Sequence, residues 1–313
     1  MSQKPVSGVV LATHLGISRS AVWKRIQHLR DNGFEIETKS GQGYFLKHPI
    51  EWLDQNRICD YLSNAAKKQL GDFHIAEQID STNSWAKFET KQQAGTDIFL
   101  AEQQTAGRGR LGRQWASPMA ANIYLSLRRR FNKGLPALSG LSLVVGVLLA
   151  KTLRSQGFTE VGLKWPNDIV VDGKKCAGIL IETQGDVFEP ASLVIGIGVN
   201  YRLHPEHKKI IDQPVWDYAT NVVTAMPRDA LLLGIFRHLW ERISTFNAHG
   251  FAPLKAAWLK HHACANKPVT ASFGDGRKLD GVVVDVAVDG ALILQVGNRR
   301  EVIYSGEVSL RQA

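Results

Sequence analysis

The stretch Lys164-Trp165-Pro166-Asn167-Asp168-Ile169-Val170-Val171-Asp172-Gly173-Lys174-Lys175-Cys176-Ala177-Gly178-Ile179-Leu180-Ile181 sets two apolar runs on either side of an Asp-Gly pair. That arrangement is the strongest short-range hairpin signal, because a type I′ turn needs positive φ at both central residues. With Asp172 and Gly173 as the loop, Val171 faces Lys174, Val170 faces Lys175 and Asp168 faces Ala177. Cross-strand partners share a face, so Asp168 and Lys175 become diagonal neighbours within reach of a common phosphate or a bridging metal ion. Isolated from other signals, the same pair reads as an ordinary surface ion pair. A hairpin here makes the surrounding sheet mixed and largely antiparallel.

Outward from the hairpin, strand-like runs occur at 96–102, 122–127, 162–164, 169–171, 175–183 and 192–199, with helical patterns at 138–156, 228–250 and 253–261. They fill a central region, 71–265, of α+β character. Beyond Asn266, short β runs separated by Gly274-Asp275-Gly276, Asp289-Gly290 and Gly297-Asn298 read as a small meander, 266–313. His48-Pro49 closes the first 47 residues, and 48–70 is a connector, mostly helical over 53–68.

Those first 47 residues carry helix-turn-helix punctuation. A short helical pattern over 6–14 is followed by the turn Gly16-Ile17-Ser18 and a second helix over 19–30, with Ala21, Val22, Ile26 and Leu29 at helical spacing. Segments 33–38 and 44–46, joined by Lys39-Ser40-Gly41-Gln42-Gly43, form a two-stranded wing. From the second helix Ser18, Arg19, Ser20, Trp23, Lys24, Arg25 and His28 are available to phosphates or bases.

A second chemical signal is Thr105-Ala106-Gly107-Arg108-Gly109-Arg110-Leu111-Gly112-Arg113-Gln114-Trp115. Glycines let backbone N–H groups approach a ligand, and guanidinium groups match phosphate or carboxylate oxygens bidentately, so the loop suits an anion. Its Gly107-x-Gly109-x-x-Gly112 spacing imitates the dinucleotide fingerprint, which needs a helix at the third glycine and an acidic residue about 20 positions on. Here Trp115-Ala116-Ser117-Pro118 follows, and Arg128-Arg129-Arg130 comes later, so that reading fails. The glycines alone also fit a solvated basic loop.

Composition sets the limits. A net charge of +9 suits nucleotide, DNA or an acidic protein partner. The three cysteines, Cys59, Cys176 and Cys264, form no CxxC and read as reduced thiols of a cytoplasmic protein. No apolar run reaches about 18 residues and no signal-peptide h-region opens the chain, so neither membrane insertion nor export is expected.

Joined with Ser81-Thr82-Asn83 after the run 73–78 and with Gly196-Ile197-Gly198-Val199-Asn200, these motifs make the chain resemble the bifunctional biotin protein ligases that also act as biotin operon repressors. The resemblance spans nearly the whole length. It implies a winged helix-turn-helix, a central biotin/lipoate ligase-like domain and an SH3-like C-terminal barrel. It also implies an enzyme that joins biotin to ATP as biotinyl-5′-adenylate, with Mg²⁺, and passes biotin to a lysine of a biotin carboxyl carrier protein. A ligand-bound homodimer on biotin operator DNA is the implied repressor form. Family members usually carry another helix before the one near Val6, where this sequence has five residues.

Residue roles follow from the resemblance. Ser81, Thr82, Asn83, Gln104, Arg108, Gly109 and Arg110 are expected around the ureido end of biotin, with Trp115 on its apolar parts; from sequence alone Ser81 reads equally as a helix cap and Trp115 as core. Arg108, Arg110 and Lys175 would hold the α-phosphate or the biotin carboxylate, Lys164 and Asn167 belong to the same anion site, and Asn200 would sit near the adenylate. Asn167 or Asp168 would orient Mg²⁺, and Asp168 is a general-base candidate or a positioning group. The polar run 201–214 reads as an irregular adenylate loop ending near Trp216, which is either an adenine contact or a core anchor. His204 and His207 receive no metal.

Two rival classes share part of the pattern. A lipoate-protein ligase has the same reaction logic but is not expected to carry the N-terminal module or the arginine loop. A pure ligand-sensing repressor would leave the cluster of Lys164, Asp168 and Lys175 unexplained, and a ligase with a vestigial N-terminal module is the third alternative.

Overall fold

A computed structural model describes residues 4–48, 50–89, 95–131, 134, 138–158, 160–184, 192–223, 225–304 and 308–312. Helix α1 (Gly8–Leu15) starts where Ser7 Oγ accepts from the Val10 N–H at 3.2 Å, and it stops at Gly16, whose φ of 62° suits a residue without Cβ. Helix α2 (Arg19–Asp31) is capped in the same way by Ser18, which accepts from the Ala21 N–H. Strands β1 (Ile36–Lys39) and β2 (Gly43–Leu46) pair antiparallel as the wing, and Arg30 ties α2 to it through Ile36 O and Thr38 Oγ1, both at 2.8 Å.

Two expectations shift here. The first wing strand starts at Ile36 rather than at residue 33, because Gly33 leaves α2 in a turn at φ 89°. Leu29, expected on the apolar stripe of α2, is 37% exposed, while Val22 and Ile26 are buried with Ala12. The module's core is small.

The connector forms α3 (Gln55–Tyr61) and α4 (Asn64–Lys67), opened by Asp54 and Ser63. The central layer follows as β3 (Leu70–Ile79), α5 (Thr82–Phe88), β4 (Thr96–Gln104), β5 (Ile123–Arg130), α6 (Leu141–Ser155), β6 (Val161–Lys164), β7 (Asp168–Val171), β8 (Lys174–Gln184) and β9 (Ser192–Val199). Then come α7 (Pro205–Lys209), α8 (Tyr218–Asn221), α9 (Arg228–His249) and α10 (Lys255–Lys260). The strands make one seven-stranded sheet in the order β3-β4-β5-β9-β8-β7-β6, parallel between β3 and β4 and antiparallel elsewhere.

Period-two alternation gives the sheet two different faces. Ile98, Leu100, Leu125, Leu127, Ile195 and Ile197 join the main core with α6 and α9; α6 is buried almost all round. On the opposite face Phe99 and Val194 pack with Ala86 of α5, and Ser126, Gly196 and Gly198 share that side. Small residues there leave room beside α5, and that room becomes the site.

Strands β10 (Pro268–Phe273), β11 (Lys278–Val286), β12 (Leu292–Val296), β13 (Arg299–Ile303) and β14 (Val308–Gln312) form an antiparallel sheet in the order β13-β12-β11-β10-β14, the expected C-terminal β domain. It docks on the central layer through Trp165 Nε1–H, which donates to Gly290 O at 3.0 Å, and Ser139 Oγ–H, which donates to Asp289 O at 2.6 Å. Val269, Leu292 and Leu294 belong to the same core as α6. No helix among the described residues is long and apolar enough to cross a membrane.

Candidate functional site

The hairpin turn forms as the Asp-Gly pair predicts, with Asp172 at φ 50° and Gly173 at φ 73°. Val171 pairs with Lys174 and Val170 with Lys175, but the ladder then slips, so Ile169 faces Ala177 and Asp168 faces Gly178. The expected Asp168 to Ala177 pairing is therefore off by one residue. The irregularity sends Ala177 into the core and brings Gly178 to the side of Lys175. Lys175 Nζ lies 2.7 Å from Asp168 Oδ1 and 5.3 Å from the centroid of the Trp115 ring. A Cβ on Gly178 would come within 3.1 Å of Trp115 Cζ3 and 3.3 Å of Lys175 Cε, so only hydrogen fits without displacement.

The arginine loop closes on itself as a small hairpin. The Trp115 N–H donates to Gly107 O at 2.9 Å, the Gly109 N–H donates to Arg113 O at 2.7 Å, and Leu111 and Gly112 turn the chain at φ 56° and 70°. Trp115 lies over Gly198, where a Cβ would stand 2.5 Å from Cε2, and its Nε1 is buried with no hydrogen-bond partner among the described residues. Arg110 Nη1–H donates to Asn167 Oδ1 at 3.5 Å, linking the loop to the turn after β6. Burial pushes the Arg110 guanidinium below its ordinary pKa, Asp168 draws it back up and Arg113 lowers it further.

At the α5 end the polar groups are buried and interlocked. Ser81 is the N-cap of α5, so the capping reading holds, and it also lines the cavity. The Thr82 N–H donates to Gln104 Oε1 at 2.9 Å, and Gln104 Nε2–H donates to Ser117 Oγ at 2.9 Å. Ser126 Oγ stands 2.6 Å from Asn83 Oδ1 and 2.8 Å from Thr82 Oγ1. Asn83 Nδ2–H donates to Glu182 Oε2 at 2.8 Å, and Arg108 Nη2–H donates to the same oxygen at 3.0 Å. The sequence reading missed Glu182. Its signal was a lone carboxylate two residues beyond Leu180 and four beyond Gly178, on the same alternating face of β8.

The segment after β9 is not wholly irregular, contrary to expectation. His204 Nδ1 accepts from the Glu206 N–H at 3.4 Å and Pro205 occupies the first turn, which starts α7. Ile210 to Val215 then run along the cavity mouth to Lys175, whose N–H donates to Pro214 O at 2.9 Å. Asn200 is 4% exposed, and its Nδ2 donates to Lys175 O at 3.1 Å and Trp216 O at 3.3 Å. Trp216 is a core anchor here: its ring packs on Phe158 with centroids 4.9 Å apart, and it does not line the cavity.

Ser81, Thr82, Asn83, Gln104, Arg108, Gly109, Arg110, Trp115, Lys164, Asn167, Asp168, Lys175 and Asn200 thus surround one cavity of about 820 Å³, which Leu310 of the C-terminal sheet also reaches. Its two ends differ chemically. One is a neutral, hydrogen-bonding lobe at α5, and the other is a cationic lobe at Arg110, Lys164 and Lys175. For a cation the oxygens on offer are Asn167 Oδ1 and the Asp168 carboxylate, but the first accepts from Arg110 and the second is paired with Lys175, and the described residues hold no group of three or more His, Cys, Asp or Glu placed for a metal. Any Mg²⁺ would need the phosphates it accompanies to complete its shell.

On the N-terminal module, Ser18, Arg19, Ser20, Trp23, Lys24, Arg25 and His28 are all exposed along α2, with Trp23 at 53%.

Fold and cavity together define a ligase of the biotin and lipoate class carrying a winged-helix module. Residues 75–200 match the Biotin/lipoate A/B protein ligase family, residues 1–45 an HTH domain and residues 265–311 the Biotin protein ligase C terminal domain. The bifunctional ligase/repressor BirA of Escherichia coli is 36% identical over 98% of this chain and 93% of its own length. The bifunctional ligase/repressor BirA of Bacillus subtilis is 30% identical over 97% of this chain and 94% of its own. Among solved structures, the biotin protein ligase from Aquifex aeolicus in complex with biotin and ATP superposes with a TM-score of 0.66 at 27% identity, over 77% of this chain and 99% of that one. The chain belongs to the biotin protein ligase family.

Proposed function

We propose that this protein adenylates biotin with ATP and transfers the biotinyl group to a lysine of a biotin carboxyl carrier protein, and that its N-terminal module represses transcription in response to biotin. The observation that carries the reading is the cavity's polarity: a buried neutral hydrogen-bonding lobe stands opposite a cationic lobe, as a long carboxylic acid with a ureido head requires.

A carboxylate is a poor acyl donor because its oxygen must leave as oxide. When a biotin carboxylate oxygen attacks the α-phosphorus of ATP, pyrophosphate departs and the acyl carbon gains AMP as leaving group. Charge collects on the phosphoryl oxygens during that step, and the cationic lobe is preorganised to meet it. In this reading Lys175, held by Asp168, and Arg110 stabilise that charge, Lys164 adds to the field, and Arg108 closes the loop over the product. Mg²⁺ bound with the nucleotide would neutralise phosphate charge, with Asn167 and Asp168 as its protein ligands. In the second half-reaction the carrier lysine amine attacks the acyl carbon, AMP leaves, and Asp168, a carboxylate of the cavity lining, is the candidate to accept the amine's proton. The location this reading carries is the cytoplasm, with Cys59, Cys176 and Cys264 as free thiols.

The test is exchange of labelled pyrophosphate into ATP. Exchange is expected with biotin and Mg²⁺, and not with lipoate or octanoate as the acid. Exchange with lipoate but not biotin would overturn the assignment.

A further inference from the structure

The carboxylate of Glu182 lies outside the cavity lining, yet of the three groups it touches two, Asn83 and Arg108, line that cavity. Oε2 accepts from Asn83 Nδ2 at 2.8 Å and from Arg108 Nη2 at 3.0 Å, while Oε1 lies 3.3 Å from Lys87 Nζ. Its side chain is 19% exposed, so these contacts are sheltered from solvent. The other Asn83 amide hydrogen is directed to Leu180 O at 3.3 Å. Both partners of the Asn83 nitrogen are therefore obligate acceptors, one of them charged.

That settles which way the amide points. A flipped Asn83 would set Oδ1 against a carboxylate and a carbonyl, three oxygens with no proton among them. In the observed orientation Oδ1 faces Ser126 Oγ at 2.6 Å and lies over Gly196, where a Cβ would stand only 2.2 Å away. A carbonyl oxygen has two lone pairs, and Ser126 occupies one. Asn83, which lines the cavity, is thus restricted to accepting a hydrogen bond from whatever enters.

We infer that Glu182 is a positioning residue that fixes the Asn83 amide as a hydrogen-bond acceptor, and so makes the neutral lobe select an acid whose head group carries an N–H donor. This rests on the biotin reading and deepens it, since a ureido ring carries such donors and a dithiolane ring carries none. Through Arg108 the same carboxylate anchors the arginine loop beside the lobe.

Glu182→Met separates this role from simple packing, with Glu182→Gln as its control. Methionine keeps the length of the side chain but offers Asn83 and Arg108 no oxygen acceptor, whereas glutamine can still set its carbonyl oxygen at the Oε2 position that both donate to. Calorimetric titration of the full-length protein is expected to show biotin affinity about 10-fold weaker or more for Glu182→Met, the scale of one misoriented buried hydrogen bond, and within about 3-fold of the parent for Glu182→Gln. Combining Glu182→Met with Asn83→Ala should cost less than the sum of the two separate penalties, because the carboxylate acts in part through that amide. Glu182→Asp, which keeps the charge but retreats by one methylene, should fall between parent and Glu182→Met, and it carries the test if Glu182→Met does not fold. Unchanged biotin affinity in the Met variant, equal losses in the Met and Gln variants, or fully additive penalties in the double variant would each overturn the inference. A parent protein that binds lipoate and not biotin would instead overturn the functional reading beneath it.

Discussion

Lys175 Nζ and Asp168 Oδ1 are 2.7 Å apart, with less than a fifth of either side chain exposed, on the face of the β7–β8 hairpin that looks into the cavity. A sheltered carboxylate so close holds the ammonium in place before any anion arrives, and such preorganisation is what a transition state rewards. Lys175→Ala is expected to slow adenylate formation by two to three powers of ten, about 2.7–4 kcal/mol, while weakening biotin binding far less. Single-turnover formation of the adenylate checks it. A rate equal to that of the parent would reduce Lys175 to a structural partner of Asp168.

Gly198→Ala should impair biotin binding by a purely steric route. The added Cβ would meet Trp115 Cε2 at 2.5 Å and Cζ2 at 2.6 Å, and a rigid indole has no flexible end to yield. Overpacking of this kind costs about 1–3 kcal/mol. The double variant Gly198→Ala with Trp115→Phe should recover part of the stability, read from urea unfolding; no recovery would place the strain elsewhere.

Arg110→Gly is expected to release the adenylate early and so biotinylate unrelated proteins. Arg110 links the arginine loop to Asn167, and losing one hydrogen bond from a charged donor costs about 1.5–3 kcal/mol, which is ~10–100-fold in dissociation rate. The dissociation rate of labelled adenylate decides it, and equal retention by variant and parent would refute the role.

His262 should make the fold acid-sensitive. Burial first and the charge of Lys267 second hold its imidazole down to about pKa 4 from an ordinary 6.5, and neither ring nitrogen has a hydrogen-bond partner among the described residues. The unfolded chain takes up this proton below 6.5 and the folded protein only near 4. Its contribution is therefore complete above pH 6.5 and is lost as the pH falls from 6.5 toward 4. Between pH 7 and 5 the loss is about 2 kcal/mol. His262→Phe keeps the stack on Trp258, whose ring centroid is 4.4 Å away, and should flatten the slope of stability between those pH values. An unaltered slope would point to other groups.

With biotin and ATP the protein is expected to form a homodimer that binds an inverted-repeat operator through α2. One short helix reads too few base pairs for genomic selectivity, and a twofold dimer doubles the contacts. Arg25→Ala should weaken binding by a similar factor on all sequences and reduce its salt dependence, if Arg25 meets phosphate. Anisotropy titration with the region upstream of biotin-synthesis genes checks both. Absence of specific binding with and without ligand would leave the module without a regulatory role.

Much of this was legible in the sequence because it is local. Asp172-Gly173 dictates a tight turn through its own φ requirements, Ser18 caps its helix by accepting from the Ala21 N–H, and period-two runs declare strands wherever the chain lies; the first helix, expected from residue 6, starts only after its cap Ser7. The arginine loop and the residues around Asp168 and Lys175 announced an anion site through residue type alone. Leu29 was misread because exposure depends on neighbours distant in sequence, and the helix within 201–214 because one five-residue turn leaves no periodicity to read, although His204 and Pro205 mark its start.

What the tertiary structure alone decided is how these pieces converge. The one-residue slip opposite Ile169 puts Gly178, not Ala177, beneath Trp115, a register no dipeptide rule contains. Trp216 is a core residue because Phe158, 58 positions earlier, folds back against it. Glu182 became part of the site because Asn83 and Arg108, from α5 and the arginine loop, both reach it across the sheet. Hydrogen bonds and packing act over a few ångströms whatever the sequence separation, so the chain's local pattern determined the elements and the chemistry on offer, while the sheet order determined which side chains meet.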